Sequence, residues 1–105
     1  MKRKSAGYCN NRLIVVGPQT ELKLFDENVS LKTELGACHG DLLECSATRT
    51  AWQFETNTPP LEPMKRLSIR HPRLTFLLDY EQQDQRIKGL AKTNKGRLIH
   101  HQVSY

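Results

Sequence analysis

A chain of 105 residues has the size of one ordinary domain and leaves no room for a second core. Its apolar set is 37% and its charged set 26%, the proportions of a folding chain, which excludes intrinsic disorder and collagen-like architectures. The net charge of +5, from 16 basic against 11 acidic residues, is modest beside dedicated nucleic-acid binders. No stretch is long and apolar enough to span a bilayer, and the basic opening MKRK leads into SAGYCNN, where a secretory signal would need an apolar segment. The expectation is a cytoplasmic protein without a membrane partner, a single domain over 1–105 with residues 1–8 as a flexible N-terminal arm. Three cysteines, Cys9, Cys38 and Cys45, are an odd and sparse set, so reduced thiols are expected rather than a disulfide framework.

The elements follow in chain order. RLIVV (12–16), closed by Gly17-Pro18, predicts a strand apolar on both faces and therefore central in its sheet. Leu22, Phe25 and Val29 then recur at i, i+3 and i+7, predicting a helix over 19–33, with Glu21 placed favourably near its start. ELGACHGD (34–41), with Gly36 and Gly40, reads as a loop. LLECSATRTAWQFET (42–56) is rich in threonine, with Trp52 and Phe54 alternating against Gln53 and Glu55, and predicts two strands broken near Thr48–Thr50. The Pro59-Pro60 pair cannot continue a ladder but suits the start of a helix. That helix carries Leu61, Met64 and Leu67, and must stop by His71 because Pro72 follows. RLTFLLDYE (73–81) is the clearest strand, with Leu74, Phe76, Leu78 and Tyr80 on one face. After polar residues 82–85, IKGLAKT and RLIHHQVSY form a hairpin around Asn94-Lys95-Gly96. The order implies an α+β fold: a ferredoxin-like (split βαβ) antiparallel sheet with two helices on one face and a C-terminal hairpin.

Four phrases carry a resemblance: CNNRLIVVGP before the first helix, FETNTPP before the second, HPRLTFLLDY in the next strand, and the glycine-bearing hairpin ending at Tyr105. In that order, from about Tyr8 to the C-terminus, they resemble the YubB ferredoxin-like domain family. The resemblance implies a ferredoxin-like fold and a home among plasmids, phages and other bacterial mobile elements, without an established activity. The chain departs from that pattern in two places. Gly36–Thr50 is compact where members carry a longer, tryptophan-rich segment, and Asn57 and Thr58 stand where a tryptophan often precedes the prolines.

Few groups suggest chemistry. Cys38-His39 with Cys45, and His100-His101 as a further pair, are the grouping closest to a metal set, but their spacing fits no common zinc pattern. Neighbours on a strand also point to opposite faces, so no metal and no cofactor is expected. Cys38 beside His39 is the nearest approach to a thiol nucleophile, and Glu55 with Asp79 on neighbouring strands the nearest to an acid pair. Asn10 and Asn11 are expected just before the first strand, capping backbone groups in a turn. Glycine-rich phosphate loops are absent. From residue 86 onward Arg86, Lys88, Lys92, Lys95 and Arg97 occur with no acid, a cluster suited to phosphates or an acidic protein, or simply to keeping an edge strand soluble. Trp52 and Phe54 could stack bases on an open sheet face, although so small a core has its own use for Trp52, Phe54 and Phe76.

The expected function is a non-enzymatic binding module that meets a protein partner, or a second copy of itself, through a sheet face or edge. Nucleic-acid binding by the basic hairpin, with Trp52, is the alternative, and a thiol enzyme stands third.

Overall fold

The organising strand is β1 (Cys9–Val16), whose backbone is paired on both sides and whose side chains alternate between buried and more exposed positions. The computed structural model describes residues 8–105, so all of the expected N-terminal arm except Tyr8 lies outside the described residues. The other elements are α1 (Gln19–Asn28), α2 (Leu31–Leu35), β2 (Cys38–Cys45), β3 (Arg49–Thr56), α3 (Leu61–Arg70), β4 (Thr75–Gln82), β5 (Ile87–Asn94) and β6 (Arg97–Ser104). A short 3-10 turn, Gln83–Gln85, joins β4 to β5. The six strands form one sheet in the order β2-β3-β1-β4-β5-β6, with every neighbouring pair antiparallel. The chain is thus an α+β protein, and β1 is central, as its apolar run predicts.

Among the described residues, three helices contribute to one core on one face of this sheet. Leu22 and Phe25 of α1, Leu35 of α2, and Met64 and Leu67 of α3 pack with Leu13, Val15, Phe54, Phe76, Leu78 and Tyr80 from the alternating strand positions facing them. Phe25 sits at the centre of an aromatic group, with ring centroids 5.5 Å from Phe76 and 6.0 Å from Trp52. Edge and tilted arrangements at these separations favour the ring quadrupoles as well as burial.

Three sequence expectations need correction. The helix predicted over 19–33 is two helices, making three rather than two on this face. Val29 is extended, and Ser30 caps α2 by accepting a hydrogen bond from the Thr33 amide at 3.3 Å. A serine that binds backbone amides favours starting a new helix over extending the old one. The loop predicted over 34–41 holds the end of α2, closed by Gly36 at φ 71°, and the first residues of β2. Asn10 and Asn11 lie inside β1 rather than before it. Asn11 is buried, and its Nδ2 donates toward the Thr56 Oγ1 at 2.9 Å and the Cys9 carbonyl at 3.2 Å. With its amide satisfied inside the sheet, the asparagine does not end the strand.

The C-terminal hairpin matches its prediction. Lys95 and Gly96 both have positive φ, 54° and 79°, the signature of a tight type I′ turn. The Gly96 amide donates to the Ser68 Oγ at 2.9 Å, fastening the turn to α3. At the other end of the hairpin Tyr80 does the fastening. Its ring lies over Gly89, its cross-strand partner, so closely that a Cβ there would come within 2.4 Å of the phenol oxygen. Across that gap the Tyr80 hydroxyl donates to Gln102 Oε1 at 2.6 Å and lies 2.6 Å from His100 Nε2 on β6. The phenol has one proton, so the imidazole is the donor in the second bond. Gly89→Ala should therefore destabilise the protein by about 1–3 kcal/mol through overpacking. Tyr80→Phe should cost about 1 kcal/mol by removing the hydroxyl alone. Urea unfolding with an unchanged denaturant slope checks both.

Candidate functional site

Among the described residues, the other face of the sheet carries no helix. Its side chains come from the remaining alternate positions: Asn10, Arg12 and Ile14 of β1, Ala51, Gln53 and Glu55 of β3, Leu77, Asp79 and Glu81 of β4, Lys88, Leu90, Lys92 and Asn94 of β5, and Arg97, Ile99, His101 and Val103 of β6. Leu90, Ile99 and Val103 are 63%, 60% and 59% exposed, an aliphatic row across the last two strands in which Leu90, opposite His101, lies diagonal to the other two. A shallow groove of about 300 Å³ runs between Ile14, Leu77, Leu90 and Ile99, with Arg12, Lys92 and His101 on its walls. Solvated apolar side chains in such a row are costly to leave bare, and contiguous patches of this kind mark contact surfaces.

The five cations singled out from sequence do not make one patch. Lys88, Lys92 and Arg97 lie on this open face. Lys95 is at the tip of the hairpin turn, and Arg86 is at its opposite end, nine residues and roughly 30 Å of extended chain away. Arg86 is engaged at home, donating to the Tyr105 carbonyl with its guanidinium 5.5 Å from the Tyr105 ring centroid. Trp52 and Phe54 are on the helix-covered face instead of the open one. Phe54 is buried, and Trp52 packs on Phe25, so neither offers a ring to a base on the open sheet. Trp52 instead borders a cleft of about 520 Å³ between α1, α2 and the β2–β3 edge. Glu55 and Asp79 are not on neighbouring strands, since β1 runs between β3 and β4.

The cysteine and histidine grouping is also rearranged. Cys38 and Cys45 are at opposite ends of β2, while His100 and His101 are on β6, five strand spacings or roughly 24 Å across the sheet. What the fold brings to Cys38 and His39 is Glu55. The Cys38 Sγ, a His39 ring nitrogen and a Glu55 carboxylate oxygen all lie within 4.8 Å of one another. Two departures from regular strand geometry make this convergence: His39 has φ 52°, and the β2–β3 register slips between Cys38 and Asp41 and again between Leu42 and Glu44. Extending the Cys45–Thr50 pairing without bulges would set Cys38 opposite Asn57; the slips set it opposite Glu55. Sequence spacing alone does not reveal this register.

Compared with protein-family models, with curated proteins and with solved structures, the chain matches none. No helix among the described residues is long and apolar enough to cross a membrane.

The three thiols differ sharply in environment. Cys9 is fully buried and its burial pushes the thiol up from 9.0 to about 11, while Cys38 is half-buried and Cys45 exposed. A raised thiol pKa means the folded state holds the proton more tightly than the unfolded chain. The resulting stability is complete below pH 9 and is lost as pH rises toward 11, by at most roughly 3 kcal/mol. Burial of Tyr80 raises its phenol as well and acts in the same direction. Unfolding measured from pH 8 to 11.5 should show this loss, and Cys9→Ala should be less stable at neutral pH but flatter across the alkaline range. A thiol reagent should label Cys45 fastest and Cys9 only on unfolding.

Proposed function

We propose that this chain is a non-enzymatic binding module that docks an acidic protein surface on its uncovered sheet face. The observation that carries the reading is the aliphatic row of Leu90, Ile99 and Val103 flanked by Lys88, Lys92 and Arg97. Apolar area supplies attraction at short range, and cations around it speed encounter and favour an acidic rim on the partner. Around the row the cations Lys88, Lys92 and Arg97 outnumber the acids Asp79 and Glu81, and that excess opposes face-to-face pairing of two copies. Nucleic acid is a poorer fit: the row itself is aliphatic, only the His101 and Tyr105 rings lie near it, and Trp52 and Phe54 are turned to the helix side of the sheet.

The strand order β2-β3-β1-β4, with helices crossing between β1 and β2 and between β3 and β4 on one side, supports a ferredoxin-like reading of the first four strands. In that reading β5 and β6 are an added hairpin that widens the open face. The resemblance to the YubB family accords with this and with a role in a bacterial mobile element.

The test replaces Ile99 with a photo-crosslinking phenylalanine derivative in the full chain expressed in bacteria, with Leu24 on α1 as the control position. Irradiation should give a protein adduct from position 99 and none from position 24, and the adduct should diminish as salt is raised during lysis. Leu90→Asp combined with Ile99→Asp should lower capture by the remaining face, probed from Val103, at least tenfold. Both positions are exposed, so unfolding should shift by no more than about 0.5 kcal/mol for each. An adduct digested by nuclease, or none at all, overturns the reading.

A further inference from the structure

We propose that Cys38, His39 and Glu55 form a site for one zinc-class divalent cation at the β2–β3 edge of the sheet. The three donors are a thiol, an imidazole and a carboxylate, a set that suits zinc or cobalt far better than magnesium or calcium. Their ligating atoms lie within 4.8 Å of one another. In a tetrahedral site with bonds of about 2.0–2.3 Å, neighbouring donor atoms are about 3.5 Å apart. Closing the remaining ångström or so needs side-chain torsions only, and His39 is exposed and Cys38 half-buried, so both can turn.

The convergence is built by the backbone and is not a consequence of sequence adjacency. On a regular strand Cys38 and His39 would project to opposite faces. The left-handed conformation of His39 removes that alternation, and the double register slip brings Glu55 in as the third donor. Strained backbone of this kind clusters at ligand sites, where it aims side chains that a regular strand would separate. β2 is an edge strand, so the site opens to solvent and a cation can enter without unfolding the sheet. Three protein donors leave one tetrahedral position for water. On binding, the Cys38 thiol gives its proton to solvent and the sulfur bonds the metal as thiolate. The site is on the opposite edge of the sheet from the β5–β6 row, so its failure would leave the docking reading intact.

The experiment titrates cobalt(II) into the purified full chain, kept reduced without added thiols. One equivalent should develop a thiolate-to-cobalt charge-transfer band and the intense visible bands of tetrahedral cobalt, and zinc should abolish both. Cys38→Ser should eliminate the charge-transfer band. Glu55→Gln and His39→Asn, the latter chosen because asparagine tolerates positive φ, should each weaken binding at least tenfold. Cys45→Ser should bind like the parent. Absence of one-equivalent tetrahedral cobalt in the parent protein overturns the proposal, whatever the variants do. Given binding in the parent, a band that survives Cys38→Ser or is lost in Cys45→Ser overturns it as well, with circular dichroism confirming that each variant is folded.

Discussion

The sheet is too large for its helices. Six strands of eight residues span roughly 26 Å by 24 Å, about 600 Å² of face. Each ten-residue helix is about 15 Å long and 10 Å wide, so α1 and α3 together cover about half of one face, and α2 adds little. Nothing is left for the second face. The residues follow this geometry. Beneath the helices the sheet carries Leu13, Val15, Phe54, Phe76 and Leu78, fully or nearly fully buried. Toward the C-terminal end of β6, away from the turn that α3 holds, the same side of the sheet switches to His100 and Gln102, and a tyrosine laid across a glycine substitutes for helix packing. Cross-strand aromatic cover of a glycine is a known way to hold a sheet where no other layer exists.

That shortage of cover also explains which parts of the fold were legible in the sequence. Strands and helices contributing to the core show their period: RLIVV, LTFLLDY and the Leu61-Met64-Leu67 spacing place β1, β4 and α3 within two or three residues. The hairpin was legible too, because Asn94-Lys95-Gly96 allows one tight turn. The break at Val29-Ser30 was hidden, since Val29 still fits the apolar stripe of α1 and packs against the core after the helix has ended. β2 was the hardest element to see. It is an edge strand with most of its residues exposed, so it has no buried face to impose alternation, and Gly36 just before it with His39 and Gly40 inside it give the segment the composition of a loop.

The candidate sites divide the same way. The charge of the final hairpin was plain from residues 86–97, but only the register shows that Lys88, Lys92 and Arg97 share a face with Leu90 and Ile99 while Arg86 is held by Tyr105. Trp52 was ambiguous because its alternation allows either face; pairing of Leu13 with Trp52 and of Leu13 with Leu78 sets it on the helix side. Glu55 was out of reach as a neighbour of Cys38. Its position depends on two bulges, and a bulge is a local backbone choice that hydrophobic periodicity does not encode.

An uncovered sheet face has to remain soluble in the free protein and still be attractive to its partner, and the two demands pull on the same residues. Lysines and arginines meet the first: their aliphatic stems lie along apolar neighbours while their charged ends stay hydrated. Interleaved with Leu90, Ile99 and Val103, they also discourage a second sheet of the same charge from stacking on the first. A partner bearing carboxylates removes that barrier, because its rim neutralises Lys88, Lys92 and Arg97 while its centre dries the aliphatic row. Selectivity for an acidic protein therefore arises from the same arrangement that keeps the free chain from associating with itself, and no aromatic platform is required on this face.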